Sequence, residues 1–358
     1  MLKKGIGLIF QVTAVFIGTI VGAGLASGQE ITQFFSSYGF VSFWGILICC
    51  LIYIVISSII VSISLKHKLS SYSELITLVS PGFFGVITDI FTSFFLVSGA
   101  AVILAGSGAL LHQYFGISKW VGILLMSIIS LYTVLKDTKG LITINSFIVP
   151  SLITIIITIF ILYLVFFKDM VSASYIRQIP SYKDNIIPAQ WFISALLYAG
   201  FNMLCCSGVL VPLSKEIKFK RILIPGVIIG ALCLTLLCYL INIMLLLNIP
   251  QIFKYEIPLL YITHRFGMLM QILLLCVIWC EMFSTEVSNI YSVGKTLEKK
   301  FNISYKKAVL VILIIAIPIS QIGFKTLIKI LYPGFGAISF IFLIQCIIFY
   351  RKTTKNHN

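Results

Sequence analysis

Glu281 stands inside a long apolar stretch, in the run Cys280-Glu281-Met282-Phe283-Ser284-Thr285-Glu286. In a helix, Ser284 lies about one turn further on. Two hydroxyl oxygens beside a carboxylate are the hard donors that a cation such as Na+ accepts. A carboxyl removed from water also favours its neutral form and can carry a proton. A charged side chain at the centre of a membrane span costs about 2.5–3.5 kcal/mol on insertion scales, so its retention calls for a role. The structural alternative is a neutral Glu281 whose hydrogen bonds fix helix packing. Ser284 and Thr285 can equally bond back to their own helix. Glu30 and Asp89 fall nearer the ends of apolar stretches, where a solvated or capping role competes with one on a solute pathway.

A second chemistry needs no side chain. Gly18, Gly22, Gly24 and Gly28 crowd the first apolar segment, and Gly200, Asn202, Ser207 and Gly208 crowd a segment that begins the second half. A helix unwound at such a place exposes N–H groups on one side and carbonyls on the other, which can hold a polar solute at membrane depth. Ser27-Gly28-Gln29-Glu30 reads as a capping box that restarts a helix near residue 28, placing the break at about 22–26. Asn202, in the second segment, can bond a solute or satisfy freed backbone. Close helix contact through small residues is the competing explanation for the glycines.

The elements that must carry these groups follow from composition. Hydrophobic residues make up 59% of the 358 and charged residues 10%, with a mean hydropathy of +1.09. Soluble domains are about 45–50% apolar and about 25% charged. The apolar runs reach 20 residues or more, enough to cross a ~30 Å hydrocarbon core as helix, and they do not alternate as barrel strands would. The expected fold is therefore an all-α polytopic membrane protein, one domain over residues 1–358. Its ten spans are placed at 7–36, 40–65, 83–113, 119–135, 141–167, 189–214, 221–247, 267–294, 306–322 and 326–350.

With ten spans both termini share one side. That side carries 18 of the 26 Lys and Arg, so the positive-inside rule makes the termini cytoplasmic. Trp44, Trp120 and Trp191 fall at the opposite ends, as indoles at an interface do, and Lys325 and Lys329 are placed to snorkel there. The net charge of +15 comes from clusters between apolar runs, which argues for orientation rather than nucleic acid. The nine Cys lie in apolar runs and read as small buried hydrophobes. The outer connections 168–188 and 248–266 are long enough for short surface helices or lids.

Five spans followed by five give the second half the opposite membrane orientation, as an inverted repeat of about 7–167 and 189–350 requires. Pro150 and Pro333 fall at similar depth in the fifth span of each half.

The segment Gly18-Thr19-Ile20-Val21-Gly22-Ala23-Gly24-Leu25-Ala26-Ser27-Gly28-Gln29-Glu30 resembles the opening of the YkvI-like bacterial membrane proteins. These in turn resemble the amino acid-polyamine-organocation (LeuT-fold) transporters, with a five-plus-five inverted repeat and broken first and sixth helices. That resemblance implies substrate contacts at Gly22, Ala23, Gly24, Leu25 and Ala26 for a carboxylate, and at Ala199, Gly200, Phe201 and Asn202 for an amine. It also implies an Na+ between the carbonyls of Gly18 and Val21 and the hydroxyls of Ser284 and Thr285. Glu281 departs from the pattern and keeps proton coupling open.

The function expected is secondary active transport of an amino-acid-like small solute, coupled to Na+ or H+ by alternating access, without a cofactor. The alternative is a permease-like sensor that binds without transport, as in spore-germination receptor subunits. Enzyme chemistry is not expected: the chain has four His and no His-Glu-x-x-His, and no phosphate-binding Gly-x-x-x-x-Gly-Lys loop. Ala105-Gly106-Ser107-Gly108 only approximates a nucleophile motif and reads as helix packing. Two broken helices favour an occluded site over an open channel.

Overall fold

The computed structural model describes residues 2–136, 141–167 and 190–355, and among them every long element is a helix. The helices are α1 (Leu2–Ala26), α2 (Gln29–Phe34), α3 (Ser42–His67), α4 (Tyr72–Val79), α5 (Phe83–Phe115), α6 (Lys119–Lys136) and α7 (Leu141–Phe167). After them come α8 (Gln190–Ile217), α9 (Lys220–Leu246), α10 (Pro258–Thr263), α11 (Met268–Phe301), α12 (Tyr305–Ser320) and α13 (Phe324–Lys355). Helix is forced by the solvent: in hydrocarbon each backbone N–H and C=O must be satisfied within the segment.

Eight helices among the described residues are long and apolar enough to cross a membrane. The other two expected spans also fall on helices. Residues 83–113 lie in α5, several of whose side chains, Asp89 among them, are outside the described residues. Residues 306–322 lie largely in α12, whose 16 residues reach only about 24 Å at 1.5 Å per residue. The expected outer connection 168–188 lies outside the described residues.

The first span is interrupted twice. Gly22 has φ 41° and ψ −174°, a backbone region that side chains other than glycine's hydrogen avoid. Gly28, at φ 80°, turns the chain into α2. Ser27 serves this turn but does not close the expected capping box. Its Oγ accepts from Gln29 N at 3.2 Å and donates to Gly24 O at 2.9 Å, while Glu30 points elsewhere. Capping of that kind occurs instead at α4, where Ser71 Oγ accepts from Glu74 N and the Glu74 carboxylate accepts from Ser70 N.

The expected break in the sixth span is not seen as non-helical backbone: α8 is a single helix from Gln190 to Ile217. Its small residues serve close packing. A Cβ on Gly336 of α13 would lie 2.4 Å from Leu197 O of α8, and one on Gly200 would lie 2.9 Å from Gly336 O. Ser207 and Asn202 bond back to Leu204 O and Tyr198 O within the same helix, which explains their presence there without unwinding.

The helices pack as two groups. α1, α3, α8 and α9 contact one another in one group, and α5, α6, α11 and α12 do so in the other. α7 and α13 each touch both groups. Ser107, in the motif-like stretch of α5, is fully buried and donates to Leu104 O and to Gly122 O of α6. It is a packing residue.

Candidate functional site

Between the two groups lies a cavity of about 310 Å3. α1 contributes Gly18, Gly22 and Ala23, and α8 contributes Phe201, Asn202, Cys205 and Gly208. From the facing group come Phe95, Gly99 and Ile103 of α5 and Ser284, Thr285, Ser288, Asn289 and Ser292 of α11. Glu30 of α2 and Tyr332 of α13 complete one end. A volume of this order, walled mostly by apolar groups with a few convergent polar ones, suits a small solute.

The sequence-derived residues divide in two. Gly18, Gly22, Ala23, Phe201, Asn202, Ser284 and Thr285 all reach the cavity wall. Val21, Gly24, Leu25, Ala26, Ala199, Gly200 and Glu281 do not line it; Val21, Leu25, Ala26 and Ala199 are fully buried in helix contacts. Glu281 is 1% exposed and its Oε2 has no hydrogen-bond partner among the described residues. Five residues on, Glu286 is fully buried with neither carboxylate oxygen partnered there. Among the described residues no three His, Cys, Asp or Glu side chains group as metal ligands.

For Glu30 the sequence leaves a solvated or capping role open beside one on a solute pathway, and its place on the cavity wall, 3% exposed, decides against solvation. Its Oε2 accepts a hydrogen bond from the Tyr198 hydroxyl at 2.9 Å, and Tyr332 lines the cavity with it. The carboxylate can fold back because residue 24 is glycine: a Cβ there would lie 2.0 Å from Glu30 Oε1. The local sequence arranges this. The turn at Gly28 ends α1, and α2 restarts with Glu30 in its first turn, which aims the side chain inward past Gly24.

Aromatic rings surround that end of the cavity. Phe201 stacks on Tyr332 at 4.2 Å between centroids, and Phe95 meets Phe201 edge-on at 5.2 Å. Tyr198 is held by Phe34 and Phe35 at 5.2 and 5.1 Å. The polar wall of α11 follows helical spacing, Ser284, Ser288 and Ser292 at every fourth residue with Thr285 and Asn289 beside them, and of these the sequence singles out Ser284 and Thr285. The role of Tyr332 is not visible there, because it stands more than 300 residues from Glu30.

The connection 248–266, which carries the short helix α10 and several exposed residues, packs beside the Ser27 turn as a partly buried strap. Leu259 N donates to Ser27 O at 3.0 Å. Gln113 at the end of α5 clasps Ile257 twice, Nε2 to Ile257 O at 2.9 Å and Ile257 N to Oε1 at 3.0 Å. Lys119 pairs with Glu256 at 2.8 Å. Lys325 donates to Phe253 O, so it holds this strap rather than snorkelling. From Glu30 the cavity lining continues past Ala14, Tyr72 and Ser292, toward the end that carries the chain termini.

No family model matches the chain. Over 342 residues it is 29% identical to the uncharacterized membrane protein YkvI of Bacillus subtilis (strain 168), with 96% of each chain covered. Among solved structures it is similar to the inward-facing conformation of Mhp1, at a TM-score of 0.66 and 12% identity, covering 92% of this chain and 73% of that one. It is also similar to MhsT in complex with L-phenylalanine, at a TM-score of 0.65 and 15% identity, covering 93% and 87%. The chain is thus a multi-pass membrane protein homologous to YkvI along nearly its whole length and built on the LeuT fold.

Proposed function

We propose that this protein is a secondary active transporter of an amino-acid-like small organic solute, working by alternating access in a bacterial cell membrane with both termini cytoplasmic. The observation that carries the reading is the cavity between the two helix groups, walled by the interrupted part of α1 and by polar residues of α8 and α11. Its lining runs from Glu30 past Ala14, Tyr72 and Ser292 toward the end that carries the termini. A site between two packed groups is what rocking of one against the other can expose to either side. Similarity to Mhp1 and to MhsT, the latter bound to L-phenylalanine, supports the same reading. In it, the repeats are residues 7–167 and 189–350, and the backbone around Gly22 and Ala23 faces the solute.

Coupling is to Na+ or to protons. Gly18 of α1 and the hydroxyls of Ser284 and Thr285 share the cavity wall, which supports an Na+ position there with Val21 as a carbonyl neighbour. Glu281 and Glu286, buried in α11 without full hydrogen bonding, support a proton carried on helix eleven instead. An uncompensated buried carboxylate is costly, and protonation removes the charge.

The test is uptake of labelled amino acids into proteoliposomes under separately imposed Na+ and proton gradients. Accumulation driven by one gradient is the expected result and identifies the ion. Saturable binding with no accumulation under either would replace transport with the sensor reading.

A further inference from the structure

We propose that Glu30, with the ring surfaces of Phe201 and Tyr332, forms the recognition site for the ammonium group of an organic cation. The inference rests on the transporter reading for its biological use and on the geometry alone for its chemistry. Glu30 is buried yet lies on the cavity wall. Among the described residues the ion pairs are Lys119–Glu256 and Lys295–Glu298, and neither touches it. Its hydrogen-bond partner is a hydroxyl, the Tyr198 donor at 2.9 Å. A carboxylate held at membrane depth without a basic partner is completed most economically by a cation that the ligand brings.

The surroundings select the kind of cation. A small hard ion takes six or more oxygens in a shell, whereas Glu30 has the Tyr198 hydroxyl as its hydrogen-bond partner and shares the cavity wall with the aromatic rings of Phe95, Phe201 and Tyr332. Phe201 and Tyr332 both line the cavity, stacked at 4.2 Å, with Phe95 edge-on beside them. Ring faces within about 6 Å attract ammonium groups, alkylated ones included. The rest of the ligand then extends along Gly22 and Gly18 toward Ser284 and Ser288, where the wall offers room and hydroxyls. A neutral isostere leaves the carboxylate uncompensated and an anion is repelled, so discrimination by charge is built in.

The experiment follows thermal unfolding of the purified full-length protein in detergent with four probes: n-butylammonium, tetramethylammonium, n-butanol and butyrate. Both ammonium ions are expected to raise the midpoint saturably, and butanol and butyrate are not. Glu30→Gln is expected to weaken the ammonium response by about ten-fold or more, since a charge-assisted contact is lost. Phe201→Leu, which keeps the carboxylate, is expected to weaken tetramethylammonium more than n-butylammonium, and it carries the test if Glu30→Gln does not fold. An equal response to butanol, no response to either ammonium ion, or full ammonium affinity in Glu30→Gln would overturn the proposal. Ammonium binding without uptake under any gradient overturns transport and leaves this site standing. Uptake of an amine-free solute, unchanged in Glu30→Gln, does the reverse.

Discussion

The hydroxyl of Tyr198 donates to Glu30 Oε2 at 2.9 Å across 168 residues of sequence, joining the segment after the broken first helix to the middle of α8. Both residues are buried. Tyr198→Phe keeps the ring contacts with Phe34 and Phe35 and removes only the donor. The loss leaves a buried carboxylate oxygen short of a partner, at about 1–3 kcal/mol. A lowered unfolding midpoint with intact helix content by circular dichroism is the expected outcome, and an unchanged midpoint would show that the bond contributes nothing net.

Gly24→Ala separates helix propensity from site geometry. Alanine is the better helix former by about 1 kcal/mol, but its Cβ would stand 2.0 Å from Glu30 Oε1 and 2.4 Å from Glu30 Cδ. The carboxylate must move off its Tyr198 partner. The variant is expected to fold and to bind solute at least about ten-fold more weakly, a loss of 1.4 kcal/mol or more. Radioligand binding alongside size-exclusion chromatography checks both halves of that statement.

At Gly22 the cost is in the backbone itself. With φ at 41° and ψ at −174°, Gly22→Ala forces a side chain into a region worth about 1–3 kcal/mol of strain. No neighbour lies within 4 Å of a Cβ built there, so any destabilisation measured by thermal unfolding reports the interruption of α1 and not a clash. A variant as stable as the parent would mean that α1 can run straight through residue 22.

Much of this was legible before any coordinates. The spans follow from apolar run length, and the interruption of the first follows from Gly22, Gly24 and Gly28. Of the polar stripe from Ser284 to Ser292, the sequence singles out Ser284 and Thr285 beside Glu281, whereas Ser288, Asn289 and Ser292 gain their meaning from the cavity they line. Glycine in α8 misled, because Gly200 meets the backbone of α13 at Gly336 and a close approach between distant helices leaves the same local signature as a break. Glu30 misled for a related reason: Ser27-x-x-Glu30 satisfies the capping pattern, but the Tyr198 hydroxyl takes the carboxylate instead. Only the tertiary fold brings that hydroxyl to it.

The strap 248–266 offers a handle on the packing beside the Ser27 turn. Gln113→Leu removes both bonds to Ile257 and leaves that residue's N–H and C=O without side-chain partners, weakening the strap by about 1–3 kcal/mol. Leu260 is 2% exposed, so a Leu260→Cys reporter in a background whose nine native Cys are replaced should react slowly with an impermeant maleimide. Adding Gln113→Leu is expected to speed labelling about five-fold or more, the population shift such a loss allows. Equal rates would mean that the Lys119–Glu256 pair and the Leu259–Ser27 and Lys325–Phe253 bonds hold the strap without Gln113.

Glu281→Gln tests how the cycle is driven. The substitution is isosteric, keeps a hydrogen-bonding side chain and removes the titrating proton at a site 1% exposed. If Glu281 carries the coupled proton, uptake in proteoliposomes loses its response to an imposed proton gradient, while solute exchange without a gradient persists because Glu281 does not line the cavity. Ser284→Ala with Thr285→Val removes the hydroxyls of the alternative site and should abolish any Na+ response instead. Wild-type proton dependence in Glu281→Gln would move the search one and a half turns along α11 to Glu286, whose two oxygens have no partner among the described residues. Failure of both carboxylate variants to alter proton dependence, together with loss of Na+ dependence in the hydroxyl pair, would assign coupling to Na+ at Gly18, Ser284 and Thr285.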